Sequence, residues 1–455
     1  MSQENKMGVM SIKKLLLSMA LPIMASMLVQ ALYNIVDSIF VAQVSQDALS
    51  AVSIAFPVQN LMIAIASGTG VGINAYLSRS LGEKNEKNVH KAATNGLFLA
   101  MLSTLVFIIF GLFFVDMYVE SQTSTPIISE YSKEYITICS VLSFGIFGQI
   151  TLERLLQGTG KTIYTMFTQG IGAIINIILD PILIFGLLGF PELGVSGAAL
   201  ATVIGQICAM FLALSFNLRK NHEINFSLKG FKPHLKTIKT IYSVGVPSIL
   251  MMSIASIMVY GMNKILGDFS DTAVAVFGVY FKLQSFIFMP VFGLNNGMVP
   301  ILAYNYGAAK KDRIIQTIKF AIGCAVCIMV VGFAVFQLFP KELLDMFDAS
   351  TDMEAIGTIA LKVISLSFIP AAFNVILLSC FQAFGRGFLS LVVSVFRQLI
   401  ILLPAAYIFS LFCEGTDVSL IWFSFPIAEI ASALFCAVFT IKVYREVIKP
   451  IGKTA

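Results

Sequence analysis

The feature that most constrains this chain is an internal repeat that covers both of its halves. Pro22 recurs as Pro247 and Gly72 recurs as Gly297, so each pair is separated by 247 − 22, or 225, positions. Six further pairs share this spacing: Phe56 and Phe281, Gln59 and Gln284, Gly68 and Gly293, Gly82 and Gly307, Gln157 and Gln382, and Gly160 and Gly385. Two equal, strongly apolar halves are the plan of a secondary transporter, in which the substrate path lies between the halves.

The composition excludes a water-soluble globular protein. Hydrophobic residues make up 57% of the chain and charged residues only 12%, whereas soluble domains carry about 25% charged residues. A polytopic membrane protein is the class that accommodates so much apolar surface. The first apolar stretch, residues 15–40, is too long for the core of a cleavable signal peptide, and many further stretches follow it.

Apolar runs of about 20 residues or more predict twelve transmembrane helices, and therefore an all-α polytopic membrane protein. We expect an N-lobe with spans 1 to 6 and a basic connector in residues 1–228, and a C-lobe with spans 7 to 12 in residues 229–455. Six spans per half give both lobes the same orientation, so a pseudo-two-fold axis along the membrane normal should relate them. The predicted spans are 15–41, 49–77, 92–115, 134–157, 163–187, 194–217, 240–264, 275–302, 316–338, 357–383, 388–411 and 418–441.

The distribution of Lys and Arg predicts the orientation in the membrane. Basic residues cluster near both termini, in the connector at 218–239, and in the loops after the second and eighth spans, as at Lys84 and Lys310. By the positive-inside rule, these loops and both termini are cytoplasmic, and we expect a multi-pass protein of the cell membrane. Topology explains the basic connector, and no aromatic residues interleave with its charges, so we expect no nucleic-acid partner.

Four carboxylates lie at membrane depth: Asp37, Glu153, Asp180 and Glu429. Each costs at least roughly 2.5–3.5 kcal/mol to insert, so each requires a partner or a function. Asp37 and Asp180 have no acidic counterpart in the second half, where Met262 and Ala405 take their places. This asymmetry marks the first half as the place where function is expected.

Helix geometry places the two aspartates near an amide and a hydroxyl. At about 1.5 Å per residue, Asp37 lies roughly 35 Å from Lys14 at the inner end of span 1. On the same rise, Asn176 and Asp180 lie roughly 22 and 28 Å from the inner end of span 5, and Thr202 lies roughly 12 Å below the outer surface. Asn176 and Asp180 are four residues apart and share one helix face. The four side chains should therefore converge in the outer half of one bundle.

Two carboxylates, an amide and a hydroxyl form an oxygen-rich cluster that can hold Na⁺ or a proton. The predicted ion-coupling site is therefore Asp37, Asn176, Asp180 and Thr202. A polar knot that fixes helix packing is the alternative for this cluster. Nothing in the chain resembles a nucleophile with its base, so we expect no catalytic residue, no enzyme activity and no cofactor besides the coupling ion.

Polar side chains near the predicted ion site are candidates for substrate contacts. Tyr33 lies one turn from Asp37 and Asn34 lies three residues from it. Gln59 and its repeat partner Gln284 complete the set. We expect small cationic or amphipathic molecules as substrates, the lipid bilayer as the surroundings, and a monomer as the functional form.

The other charged residues at membrane depth leave alternatives open. Glu153 adjoins Arg154 near the cytoplasmic surface, which favours a helix-end ion pair. Glu429 is either a packing residue or part of a cavity lining. Lys282 and Arg397 either pair with an acidic group elsewhere in the chain or face a cavity.

Several short motifs do not carry function. Gly160-Lys161-Thr162 has the end of a phosphate-binding loop, but the position that requires an earlier glycine is Leu155 and no strand precedes it. A turn between two spans is the better interpretation of that segment. The glycines at 68, 70 and 72 favour close helix packing over nucleotide binding.

Longer segments resemble a known transporter family. The segments 281–286, 289–294 and 304–308 resemble the eighth span and following loop of the multidrug and toxic compound extrusion (MATE) family. Residues 176–181 and 194–202 are also similar to that family, and the likeness covers nearly the whole chain. The resemblance implies an antiporter with two six-helix lobes that exports cationic, amphipathic compounds and is driven by H⁺ or Na⁺.

The resemblance also bears on the site. In family members with an N-lobe ion site, that site uses a first-span Asp, a fifth-span Asn and Asp four apart, and a sixth-span Thr. The matching residues in this chain are Asp37, Asn176, Asp180 and Thr202. Another branch places carboxylates in spans 7 and 10. The absence of Asp and Glu from 240–264 and 357–383 disfavours such a C-lobe site.

Three other functions compete with an antiporter. A flippase for a lipid-linked sugar would use a cationic cavity, and Lys282 and Arg397 are compatible with one. A membrane-embedded enzyme such as an acyltransferase would need His or a catalytic pair at membrane depth, and none is visible in the sequence. A passive channel fits a two-lobe repeat less well than a rocking transporter does.

Overall fold

The architecture is described by a computed structural model that covers residues 4–224, 226, 231–347, 349–413 and 417–451. Within these ranges the regular secondary structure is helical and contains no β-strand. The lobe boundary expected after residue 228 falls among residues 227–230, outside the described ranges. The division into 1–228 and 229–455 therefore stays a prediction.

Nine helices build the described part of the first half, beginning with a short helix that precedes the first long one. They are α1 (Lys6–Val9), α2 (Ile12–Val44), α3 (Gln46–Gly82), α4 (Glu86–Phe113), α5 (Val115–Glu120), α6 (Pro126–Val141), α7 (Phe144–Gly158), α8 (Thr162–Phe185) and α9 (Gly194–Lys220). A 3₁₀ turn at Leu187–Gly189 follows α8.

The second half repeats this order, with π-helical turns near its end. The helices are α10 (Leu235–Gly267), α11 (Asp271–Gly307), α12 (Lys311–Leu338), α13 (Pro340–Asp345), α14 (Thr351–Ser365), α15 (Phe368–Ala383), α16 (Gly387–Val395), α17 (Leu403–Ser410) and α18 (Ser424–Val443). The π-helical segments are Phe396–Leu402 and Tyr444–Ile448, and a 3₁₀ turn lies at Ile421–Phe423.

Twelve apolar spans are confirmed in the described part of the chain, when each of two bent helix pairs is taken as one span. The bent pairs are α6 with α7, at 44°, and α14 with α15, at 49°. At each bend the backbone tightens, because the N–H of Ser143 donates to the carbonyl of Ser140 and that of Ser367 to the carbonyl of Ile364. The chain is thus an all-α polytopic membrane protein, as predicted.

Local signals at helix ends follow the repeat. The hydroxyl of Ser45 caps α3 by accepting a hydrogen bond from the N–H of Ala48 at 3.0 Å. Its repeat partner Ser270 caps α11 in the same way, from the N–H of Ala273 at 3.1 Å. Equivalent serines therefore start equivalent helices.

The predicted turn at Gly160 is also confirmed. Gly160 lies between α7 and α8 with φ of 85°, and its repeat partner Gly385 precedes α16 with φ of 74°. Residues other than glycine rarely adopt this left-handed region, so a glycine is favoured at both turns. The Gly-Lys-Thr segment is a helix connection.

The chain divides into two compact units. We call Ala25–Gly245 the N unit, and Met1–Met24 together with Val246–Ala455 the C unit. The first part of α2 therefore belongs to the C unit, and the first part of α10 belongs to the N unit. The two boundaries between the units, after Met24 and after Gly245, lie at similar positions in the repeat. Each is within a few residues of the recurring proline, Pro22 or Pro247.

Glycines that recur in the repeat explain how the first parts of α2 and α10 pack, each within its own unit. Within the N unit, a Cβ on Gly72 would collide with the carbonyl of Ile241 at the start of α10. Within the C unit, a Cβ on Gly297 would lie 2.9 Å from the Cα and N atoms of Ala20 on α2. Small residues allow the two backbones to approach, which is the packing role expected for these glycines.

Replacing Gly297 with Ala should destabilise the folded protein, because the new methyl group would meet backbone atoms of Ala20 that cannot rotate away. Overpacking of this kind costs about 1–3 kcal/mol. The melting temperature of the purified protein measures the effect. The matched control is Gly323→Ala on α12, where a Cβ meets no described atom within 4 Å and where removal of a helical glycine should be neutral or stabilising. Equal melting temperatures for the two variants would contradict the packing role.

Candidate functional site

The centre of the candidate site lies between α8 and α9 in the N unit. Asn176 and Asp180 are one turn apart on α8 and are almost fully buried, at 2% and 0% exposure. The amide nitrogen of Asn176 donates to Asp180 Oδ1 and to Thr202 Oγ1, in both cases at 3.3 Å. The structure therefore brings together three of the four residues predicted for the ion site.

Close helix packing holds α8 against α9 beside this centre. A Cβ on Gly205 would lie 2.7 Å from the carbonyl oxygen of Gly172 and 3.4 Å from the Cβ of Asn176. The absence of side chains at both glycines lets the two helices approach closely. Asn176 can then reach Thr202 across the interface.

Asp37 on α2 completes the cluster. Its carboxyl group lies within hydrogen-bonding range of the carboxyl group of Asp180. Two ionised carboxylates at about 4 Å repel each other by roughly 4 kcal/mol at an effective dielectric constant of about 20. Contact between these two acids in an apolar bundle therefore favours a bound proton or a bound cation between them.

Three buried oxygens of the cluster have no hydrogen-bond donor among the residues that the structure describes. They are Asp37 Oδ1, Asn176 Oδ1 and Asp180 Oδ2. A buried acceptor without a donor costs free energy, so a ligand that satisfies several acceptors at once is expected. Na⁺ is such a ligand, and a proton shared by the two carboxyl groups satisfies two of the three oxygens. The donor set fits either ion.

The substrate candidates take different places in the two units. Tyr33 is half-buried and lies near both acids, while Asn34 is exposed. In the N unit, the amide of Gln59 donates to the hydroxyl of Tyr135 at 3.2 Å and contacts Cys139 Sγ at 3.8 Å. Gln284 belongs to α11 in the C unit, where it is half-buried.

Tyr135 is a residue that the sequence interpretation missed. It is 2% exposed on α6 and lies near Asp37 and Tyr33 as well as Gln59. Its repeat partner is Ala360. As at Asp37 and Asp180, a polar residue in the first half therefore corresponds to an apolar residue in the second. The comparison of the two halves that identified the acids therefore also marks Tyr135.

Glu153 on α7 is surrounded by neutral donors. Its carboxylate accepts hydrogen bonds from Gln149 at 3.1 Å, from Thr168 at 2.7 Å and from Gln169 at 2.8 Å. The neighbouring guanidinium of Arg154 donates to Gln157 at 3.0 Å. The helix-end ion pair of Glu153 with Arg154 stays a prediction, and the structure adds these three bonds to the carboxylate.

The two alternatives for Arg397 are resolved within the C unit, where Glu429 is its partner. Arg397 Nη1 lies 2.8 Å from Glu429 Oε1, so the half-buried cation is paired with the half-buried acid. Lys282 is exposed, and its Nζ lies 5.9 Å from the ring centroid of Phe347. Of the two cations that were compatible with a cationic cavity, one is therefore neutralised.

The fold and the buried cluster define a class: a helical membrane transporter with two repeated halves. The family model described as MatE matches residues 22–182 and again residues 247–408. The two matches begin 225 positions apart, which is the spacing of the internal repeat. The chain belongs to this family, the MATE transporters, whose members are transporters and not enzymes.

Individual relatives are similar over almost the full length. The chain is 28% identical to the multidrug export protein MepA of Staphylococcus haemolyticus (strain JCSC1435) over 95% of this chain and 93% of that protein. It is 25% identical to the FAD transporter of Shewanella oneidensis over 93% of each chain. A solved structure, described as the outward-facing conformation of a multidrug resistance MATE family transporter of the MOP superfamily, matches with a TM-score of 0.91. That match has 25% identity and covers 100% of this chain and 99% of the other.

The geometry predicts unequal effects of two substitutions on ion binding. Na⁺ or acidification should raise the melting temperature of the protein, and Asp180→Asn should abolish that rise, because this residue sets the charge of the cluster. Thr202→Ala should retain part of that rise, because it removes one neutral oxygen worth on the order of 1 kcal/mol. Choline chloride in place of sodium chloride controls for ionic strength. Equal losses in the two variants, or a larger loss in Thr202→Ala, would show that the charged centre lies elsewhere.

Proposed function

We propose that this protein is a secondary active antiporter that exports cationic, amphipathic drugs or toxic compounds in exchange for H⁺ or Na⁺ by alternating access. The coupling ion would bind at Asp37, Asn176, Asp180 and Thr202. Export of small drugs is what the name of the Staphylococcus relative suggests, and the ion exchange is inferred from the N unit cluster.

One observation carries the proposal. Two carboxyl groups contact each other at membrane depth, and three oxygens of their cluster lack a donor among the described residues. Neither property suits a cluster that only fixes helix packing, because such a cluster is stable when every polar atom is satisfied. Both suit a site that binds and releases a cation during transport.

The repeat supports the same conclusion. The positions that correspond to Asp37, Asn176, Asp180 and Thr202 in the second half are Met262, Ile401, Ala405 and Ile427. Apolar residues at all four positions leave no ligand set of this kind there. The proposed coupling site is therefore confined to the N unit.

The proposal includes the location, the oligomeric state and the orientation of the protein. We place the chain in the cell membrane as a monomer, with both termini on the cytoplasmic side, in agreement with the basic inner loops. The coupling ion is the one inorganic partner that the cycle requires. Substrate contacts would come from Tyr33, Asn34, Gln59 and Gln284.

A flippase for a lipid-linked sugar is less well supported. Such a substrate carries a pyrophosphate and would need unpaired cations, whereas Arg397 is paired with Glu429. The name of the Shewanella relative indicates another anionic substrate, the dinucleotide FAD. Two adjacent aspartates disfavour an anion near the N unit cluster, so we retain cationic compounds as the substrate class.

Asp37→Asn should abolish coupled export while the protein still inserts and folds. An amide at this position neither binds a proton in the transport range nor supplies charge for Na⁺. Growth of cells in the presence of a cationic drug, at matched membrane expression, measures the loss. The control is Asp268→Asn, at an exposed aspartate in the turn after α10, which should leave resistance intact. Wild-type resistance in Asp37→Asn would refute the proposed site.

The substrate and the coupling ion should compete. A second positive charge beside an occupied carboxyl cluster is unfavourable, so acidification or Na⁺ should weaken binding of a cationic dye roughly tenfold, or about 1.4 kcal/mol. Fluorescence anisotropy of the dye, with purified protein at two pH values and with sodium or choline, provides the measurement. A neutral dye should show no such dependence. A cationic-dye affinity that is unchanged by both ions would be evidence against shared occupancy.

A further inference from the structure

The C unit contains a second charge cluster, half-buried and built from three helical segments. Arg397 lies on the π-helical segment Phe396–Leu402, Glu429 on α18 and Asn374 on α15. Arg397 Nη1 donates to Glu429 Oε1 at 2.8 Å. The amide nitrogen of Asn374 donates to Glu429 Oε2 at 2.6 Å and to the carbonyl oxygen of Glu429 at 3.1 Å. A carboxylate, an amide and a cation thus meet at one point.

This cluster sits near the repeat equivalent of the N unit site. Arg397 corresponds to Gly172, one turn before Asn176 on α8, and Glu429 corresponds to Ile204, two residues after Thr202 on α9. Each unit therefore has a charged residue of its cluster on the fifth span of the repeat, Asp180 in the N unit and Arg397 in the C unit. In the N unit the cluster has two acids and no basic member among the described residues, whereas in the C unit an acid is paired with an arginine.

The local backbone makes room for the arginine. In the N unit, Gly172 packs against Gly205 so closely that a Cβ on Gly172 would lie 3.1 Å from the carbonyl oxygen of Gly205. At the equivalent place in the C unit, the helix widens into a π-helical turn at Phe396–Leu402. Single π-helical turns inside α-helices are rare and occur frequently at functional sites. Arg397, whose guanidinium reaches Glu429, lies in this widened turn.

We infer that Glu429 and Asn374 form a cation-binding site in the C unit, and that its resident occupant is the guanidinium group of Arg397. The tethered cation withholds the site from Na⁺ and from cationic substrates. Removal of the Arg397 side chain exposes a site whose ligand class is small organic cations of the guanidinium type. The coupling ion is then exchanged in one unit only, because the other unit carries a permanent cation.

Two atoms of the cluster support a binding site over a closed ion pair. Asn374 is 0% exposed, yet its Oδ1 accepts no hydrogen bond from the described residues. Arg397 Nε is likewise buried without an acceptor among them. The guanidinium therefore uses part of its donor set, and the site retains an unused oxygen beside the carboxylate. The two charged side chains are 19% and 15% exposed, so the cluster is not sealed from small molecules.

The energetics give a distinctive pattern of variants. Removal of one member of a buried ion pair leaves an uncompensated charge and is strongly destabilising, whereas replacement of both members by neutral groups costs much less. Arg397→Ala should therefore be unstable alone. Arg397→Ala with Glu429→Gln should regain much of the loss.

The test is chemical replacement of the tethered cation. Arg397→Ala is placed in the full-length chain together with Asp37→Asn and Asp180→Asn, so that the N unit cannot bind the added cation. The melting temperature is followed as guanidinium chloride is added at concentrations well below those that unfold proteins, with sodium chloride and tetramethylammonium chloride in parallel. Because the background removes the N unit acids, the outcome does not depend on whether the proposed antiport is correct.

Guanidinium at low concentration should raise the melting temperature of the Arg397→Ala protein by several degrees, because the vacated site beside Glu429 exists only in the folded state. It should not raise that of the same background with Arg397 intact, nor that of Arg397→Ala with Glu429→Gln. No guanidinium-dependent rise, or an equal rise after Glu429→Gln, would overturn the inference. If Arg397→Ala fails to fold, the double variant with Glu429→Gln decides: recovery of folded protein supports a charge site, and failure to recover shows a packing role and overturns it.

Discussion

A carboxylate inside an apolar helix bundle must be given a proton, a cation or a full set of hydrogen-bond donors, and each choice assigns a different role to the residue. The N unit leaves the choice open at Asp37 and Asp180, because the two carboxyl groups face each other and two of their oxygens have no donor in the described chain. Glu153 is given three neutral donors. Glu429 is given an arginine. In the proposed transport cycle, the exchangeable ion binds at the first of these three arrangements.

The internal repeat allows the charged residues of the two units to be compared position by position. Equivalent serines, glycines and prolines recur in equivalent helices, so most of the scaffold is shared by the two halves. The charges are not repeated. Because the scaffold is shared, the unequal charges stand out as features that folding alone does not require. In this account the N unit exchanges an ion, and the C unit keeps its buried charge constant through Arg397.

Much of this could be predicted from the sequence, because helices in a membrane obey simple geometry. Apolar length gave the twelve spans, and the rise per residue placed Asp180, Asn176 and Thr202 at one depth. The sequence analysis assigned no partner to Arg397 or Glu429, because depth in the membrane does not show which helices pack against each other. The bends between α6 and α7 and between α14 and α15 depend on tertiary packing, which the hydrophobic pattern of the sequence does not show. The same holds for the unit to which the first part of α2 or α10 belongs.

The most direct test of the central claim is transport by the unmodified protein in sealed, inside-out vesicles. A cationic dye is supplied outside the vesicles, and gradients of pH and of Na⁺ directed out of the lumen are imposed separately. The account predicts that one of the two gradients drives dye into the lumen against its own concentration gradient, and that collapse of that gradient with an ionophore releases the dye. Dye accumulation that is indifferent to both gradients would contradict an ion-coupled antiporter.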